Sequence, residues 1–172
     1  MADNIRVQLV ALLPRLRRFA YGLTGSLDEG DDVVQSACER ALTRLDQFQV
    51  GTRLDSWMYR IVQTVWIDRL RNRKVRNEHG MDPADLEPLA TGDAEREMMA
   101  RLELAQVRRQ VALLPEDQRV VLLLTAVEGR SYKEAAAILE LPMGTVMSRL
   151  ARARLALGKA LESNAPAAAR TA

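Results

Sequence analysis

The sequence predicts an all-α protein made of two small helical domains joined by a flexible acidic linker. Three observations lead there. Ala, Leu, Arg and Glu are abundant while aromatics make up only 4% of the 172 residues, and straight-chain residues lose little rotamer freedom in a helix. Apolar residues recur at three- and four-residue spacing along most of the chain. That periodicity stops over residues 77–91, where Gly80, Pro83 and Pro88 stand among acids, a composition that suits a tether.

The elements follow in order. Leu9, Leu12, Leu13, Leu16, Phe19, Ala20 and Leu23 form one helical stripe. Pro14 falls inside it and is read as opening a second helix after a short first one, because proline suits a first turn and not an interior. Gly22 and Gly25 close the stretch. Asp28 is the expected N-cap of the next helix, whose stripe is Val33, Val34, Ala37, Cys38, Ala41, Leu42 and Leu45. Residues 47–53 contain Gly51 and read as a loop. Leu54, Trp57, Met58, Ile61, Val62, Val65 and Leu70 mark a third helix that ends in the basic stretch 69–76. After the linker a helix runs from about Asp93 to Leu113. Pro115 opens another, with Val120, Val121, Leu124 and Val127 inside and Gly129 as C-cap. The expected units are residues 1–76, a linker 77–97, residues 98–162 and a disordered tail 163–172. Phe48, Trp57 and Trp66 are expected to anchor the first core, and aliphatic residues alone fill the second.

Composition excludes several functions. Cys38 is the one cysteine and His79 the one histidine. An internal disulfide and a paired-cysteine metal site are therefore absent, and nucleophilic or zinc chemistry has almost nothing to use. The acids form no convincing acid–base pair. No enzyme activity, catalytic residue, metal or cofactor is expected. No run of 18 apolar residues suggests membrane insertion, the N-terminus has no export signal, and a cytoplasmic location is expected.

Net charge is only +2, but it is unevenly spread. Arg53, Arg60, Arg69, Arg71, Arg73, Lys74 and Arg76 outnumber Asp55 and Asp68. Residues 78–97 are acidic, and Arg149, Arg152, Arg154 and Lys159 follow without an acid between Met143 and Leu161. Two basic helices flanking an acidic segment point to two places that meet phosphate.

The strongest motif lies near the C-terminus. Ser131, Tyr132, Lys133 and Glu134 form a capping box. A short helix follows to about Leu139, then a turn at Glu140, Leu141 and Pro142, then a longer helix beginning at Gly144, Thr145 and Val146. Val146, Leu150, Ala153, Leu157 and Leu161 make the buried stripe of that helix, so Ser148, Arg149 and Arg152 point away from it. This is a helix-turn-helix. Its second helix suits a DNA major groove, where arginine pairs bidentately with guanine. Glu140 occupies the place where many such motifs carry a turn glycine.

The sequence here resembles the bacterial sigma-70 family. Leu114-Pro115-Glu116-Asp117-Gln118-Arg119, Glu128-Gly129-Arg130-Ser131-Tyr132-Lys133-Glu134 and Gly144-Thr145-Val146-Met147-Ser148-Arg149-Leu150 look like its region 4. Asp31-Asp32-Val33-Val34-Gln35 resembles the region 2 motif that docks on the polymerase clamp. Phe48, Trp57-Met58-Tyr59-Arg60-Ile61 and Ile67-Asp68-Arg69-Leu70-Arg71 resemble the −10-reading segment. The order, with a short linker in place of region 3, is that of the extracytoplasmic-function (ECF) subgroup. Departures are Ala135 for a common Ile, Glu140 for Gly and Met147 for a frequent Lys or Arg.

The resemblance implies a sigma factor that binds core RNA polymerase and directs promoter-specific initiation. Thr145, Ser148, Arg149 and Arg152 would read the −35 duplex. Gln49, Arg53, Arg60, Trp66, Arg69, Arg71, Arg73 and Lys74 would hold the −10 strand. Trp57 lies on the apolar stripe and is assigned to the core, whereas Trp66 lies off its densest part and is taken as more open. Asp31, Asp32, Val34 and Gln35 would dock on polymerase. Core polymerase, promoter DNA and a cognate anti-sigma factor are the implied partners. Nothing in the chain reads as a built-in inhibitor, so restraint is expected to come from the partner. The alternative is a stand-alone helix-turn-helix regulator, which would have no need of a clamp-docking helix.

Overall fold

The computed structural model describes residues 2–49, 51–76 and 94–164. Its described residues form helices joined by short turns, with no strand among them: α1 (Ala2–Thr24), α2 (Leu27–Thr43), α3 (Leu54–Arg76), α4 (Ala94–Leu113), α5 (Glu116–Leu122), α6 (Tyr132–Leu139) and α7 (Met143–Asn164). A single 3₁₀ turn, Leu45–Gln47, leads from α2 toward α3.

Two local expectations are corrected. Pro14 does not divide the first helix, and α1 runs through it. The carbonyl freed by the missing Pro14 N–H belongs to Val10, which is exposed and can be satisfied by water, while the apolar stripe on the opposite face continues past the proline. The N-cap of α2 is Ser26, not Asp28. Ser26 has extended backbone and its side chain accepts from the Glu29 N–H. Asp28 instead sits in the first turn, where its charge meets the positive end of the helix dipole. Gly25 supplies the left-handed residue that ends α1, at φ 76°, and its N–H reaches back to the Tyr21 carbonyl.

Helices α1, α2 and α3 bury Leu16, Phe19, Leu23, Val33, Ala37, Met58, Tyr59 and Val62 between them. Phe19 and Tyr59 meet edge to face, with ring centroids 5.1 Å apart. The second group closes around Val121, Leu124, Ala135, Val146, Leu150 and Ala153. Its filling is aliphatic, as expected. The first core departs from expectation in part: Trp66 is buried in it as expected, but Phe19 and Tyr59 hold its centre, while Phe48 and Trp57 pack together at its edge, centroids 5.2 Å apart.

The two cores join in one continuous buried cluster. Leu123 approaches α1 so closely that a Cβ on Gly22 would lie 2.7 Å from its side chain. The expected linker is shorter at its C-terminal end, because residues 94–97 belong to α4. Residues 77–93, with His79, lie outside the described residues, as does the tail beyond α7.

Candidate nucleic-acid interface

The helix-turn-helix is built as its sequence predicts. Ser131 Oγ accepts from the Glu134 N–H, and Glu134 Oε2 accepts from the Ser131 N–H at 2.9 Å, completing the capping box of α6. The helix ends at Glu140, which adopts left-handed φ 52°, ψ 46°. This backbone costs glycine nothing and other residues about 1 kcal/mol. The turn is sealed by the Leu141 N–H to the Ala136 carbonyl, 3.0 Å. On α7, Val146, Leu150 and Ala153 face the core, while Ser148 and Arg152 are exposed. Thr145 lies at the same N-terminal turn, half-buried, and its carbonyl accepts from Ser148 Oγ. Arg149 is half-covered and paired with Asp117 of α5, Nε to Oδ2 3.2 Å.

Along α3 the expected −10 residues have separate fates. Gln49 is exposed, and its carbonyl accepts from Thr52. Arg69 donates to Ser36 Oγ at 2.9 Å and to the Asp32 carbonyl at 3.0 Å. Arg73 pairs with Glu29 at 2.7 Å. Both are thus held by α2, while Arg71 is exposed. Trp66 is corrected: it is 2% exposed, with the Arg119 guanidinium 5.5 Å from its ring centroid. In this arrangement no base can stack on it. The ring lies on the buried face of α3, one turn beyond Val62 and two beyond Tyr59.

Asp31, Asp32 and Gln35 line the outer face of α2, all exposed. Asp31 pairs with Arg17 at 2.9 Å and Asp32 lies 3.8 Å from Arg69. Val34 is corrected from a docking residue to a core one, at 4% exposure. It floors a groove between α1 and α2 with Leu9, Leu13 and Cys38, and Asp31 and Gln35 stand at the rim.

The junction between the helical groups holds polar residues that sequence reasoning missed. After α5 the chain forms a π-turn, Leu123–Val127, in which the Glu128 N–H donates to Leu123 five residues back at 3.0 Å. The wide turn, followed by Gly129 at φ 66°, aims Glu128 and Arg130 at α1 and α3. The Glu128 side chain is fully buried, with Arg18 Nε at 3.0 Å and Arg15 Nε at 3.4 Å. It also accepts from the Tyr59 hydroxyl. Arg130 donates to Asp55 Oδ2 at 2.7 Å and lies 5.0 Å from the Tyr59 ring centroid. Burial alone would push the Asp55 carboxyl up, but hydrogen bonds from Arg53 and Arg130 outweigh it and hold it at about 2. Burial, with the Glu128 carboxylate beside it, pushes the Tyr59 phenol up to about 12. The signal for this junction was present as charged residues flanking Gly129, but only the partner helix shows what they meet.

Tyr59 carries a pH prediction. Its folded-state value lies above the ordinary 10, so its contribution to stability is complete below pH about 10 and fades as pH rises toward about 12. One of the three tyrosines is expected to form its phenolate late, together with loss of helix, in an ultraviolet titration monitored alongside circular dichroism. Tyr59→Phe should remove that step. Ordinary titration of all three tyrosines would refute it.

A capped helix-turn-helix with a polar outer face, beside a second helical group with a basic helix, defines a DNA-binding protein of two-part architecture. Comparisons with known proteins agree. The family described as sigma-70, region 4 matches residues 104–157, and the family described as the sigma2 domain of PhyR matches residues 9–63. The ECF RNA polymerase sigma factor EcfG of Rhodopseudomonas palustris is 37% identical over 161 residues, covering 94% of this chain and 87% of the relative. The ECF RNA polymerase sigma-E factor of Escherichia coli is 37% identical over 134 residues, covering 73% of this chain and 70% of the relative. The sigma factor RpoE of Bartonella quintana, solved in complex with the anti-sigma factor NepR, superposes with TM-score 0.74 at 30% identity and covers 94% of this chain and 99% of that one. The chain belongs to the extracytoplasmic-function RNA polymerase sigma factors.

Proposed function

We propose that this sigma factor divides its work along the boundaries expected from sequence, with residues 1–76 serving the polymerase clamp and the −10 element and residues 98–162 the −35 element. It directs promoter-specific initiation as a non-enzymatic subunit of the polymerase, in the cytoplasm, and an anti-sigma factor controls it. The observation that carries the DNA reading is the face of α7: an unbroken buried stripe leaves Ser148 and Arg152 exposed at its N-terminal half, where a helix enters a major groove. Thr145 and Arg149 complete the −35 set. Gln49, Arg53, Arg60, Arg69, Arg71, Arg73 and Lys74 follow the −10 strand, mainly through phosphate. The Arg149–Asp117 pair is exposed enough to exchange for DNA at little cost. Trp66 takes no part while α5 covers it.

The test is reconstitution: the chain added to core polymerase yields new transcripts that start at defined promoters. Binding to duplex DNA without polymerase, and no gain of transcripts with it, would favour a stand-alone regulator. The match of a sigma2 domain over residues 9–63 supports the sigma reading, since a repressor needs no such half.

Docking is placed on Asp31, Asp32 and Gln35. Asp32→Arg combined with Gln35→Ala is expected to reduce co-elution with core polymerase and leave the thermal transition near that of the native chain, because both side chains are exposed. Undiminished co-elution would place the docking surface elsewhere.

A further inference from the structure

We propose that the helix-turn-helix unit acts as a built-in competitor for nucleic acid, setting its own carboxylates on the phosphate-binding cations of α3. Three contacts carry this. Arg53 Nη1 lies 2.6 Å from Glu134 Oε1 of α6. Arg60 pairs with Glu140 in the α6–α7 turn. Lys74 Nζ lies 2.9 Å from Glu116 Oε1 at the start of α5. Arg53 immediately precedes α3 and residues 60 and 74 lie on it, and their separations by multiples of seven put all three along one side of the helix, a line about 30 Å long at 1.5 Å per residue. Each of these three cations meets a carboxylate of the second helical group. Of the other basic residues of the helix, Arg69 and Arg73 are held by α2 and Arg71 is exposed. A line of negative charge along a line of positive charge is what a nucleic-acid backbone would otherwise provide.

Glu140 gives a second, independent argument. It is the one non-glycine residue with positive φ among the described residues, at a position where the family pattern carries glycine. Its backbone is strained, and its carboxylate engages Arg60. Glu134 likewise has two roles, with Oε2 in the capping box and Oε1 on Arg53. These ion pairs are exposed, so each is weak and screened by salt, and the mask yields to polymerase or competing phosphate. Glu128 and Arg130, buried deeper, hold the two groups in register. Restraint expected of a second protein alone is thus partly supplied by this chain. The proposal rests on the reading of α3 as a DNA-facing helix.

The experiment uses the full chain. In a Cys38→Ser background, Asp46→Cys and Lys159→Cys carry donor and acceptor dyes. Arg60→Glu and Glu140→Arg should each lengthen the interdomain distance, and the two together should restore it. Separately, Glu116→Gln, Glu134→Gln and Glu140→Gln combined should bind a labelled mixed-sequence single-stranded oligonucleotide about tenfold tighter than the native chain at low salt, with the gap closing as salt rises. Asp28→Asn, Asp46→Asn and Glu103→Gln combined provide a variant of equal net charge. Unchanged distances in the single charge reversals overturn the proposal, as does an equal gain in the charge-matched variant. Arg60→Ala is assayed for promoter binding in the polymerase holoenzyme. Its loss of binding supports the DNA-facing reading. Native binding there, with the distance shifts intact, would overturn that reading while leaving the interdomain ion pairs in place.

Discussion

Arg119→Met should lower the free energy of unfolding by about 3 kcal/mol, measured by urea denaturation. The guanidinium donates to the Leu23 carbonyl at 2.6 Å, to Leu114 at 3.0 Å and to Ala112. Leu23 and Ala112 lie in the last turns of α1 and α4, where carbonyls have no partner within their own helix. One half-buried cation thus caps two helices from different halves of the chain and satisfies the negative ends of both dipoles. Burial pulls its pKa below the usual arginine range, and the Glu116 carboxylate opposes that shift. Methionine keeps much of the aliphatic volume and removes every donor. A loss below about 1 kcal/mol would mean that water takes over those carbonyls.

Arg149→Ala and Arg152→Ala should each weaken −35 binding by the polymerase holoenzyme by about 1–3 kcal/mol if the arginine pairs with a base edge. The two side chains start from different states. Arg152 is exposed, its Nε 3.3 Å from the Ser148 carbonyl one turn back, whereas Arg149 must first leave Asp117. Anisotropy on matched and mismatched duplexes at two salt concentrations separates the cases. A base contact loses affinity on the matched site alone. A phosphate contact loses it on both and reduces the salt slope. No loss on either duplex would show that this face of α7 is turned away from DNA.

Glu140 illustrates how the two kinds of information differ. Its departure from the turn glycine is visible in sequence, and so is the strain that must follow, because left-handed backbone is a local property. What the carboxylate meets is not local: Arg60 lies 80 positions away. Trp66 differs. It falls four residues after Val62 and seven after Tyr59, so the buried face of α3 already includes it, and what one helix cannot report is that α5 brings Arg119 over the ring. For Val34 the two signals conflict: the apolar stripe of α2 places it in the core, where the structure has it, and only its position within the docking motif suggested the outer face.

Helix content, the capping box at Ser131, the turn before Pro142 and the buried stripe of α7 depend on neighbours within a few residues, so the residue pattern alone is enough to read them, as it is to read the family. Pro14 within α1 and Ser26 as the cap of α2 lie at the margin, where a propensity is outvoted by a continuous apolar face or a competing cap. The merging of the two cores, the burial of Glu128 and Arg130 against Tyr59 and Asp55, and the carboxylates of one half lying on cations of the other emerge with the packed fold. These are pairings between distant segments, set by how helices pack. Burial and charge at such a junction take their energies from what stands opposite.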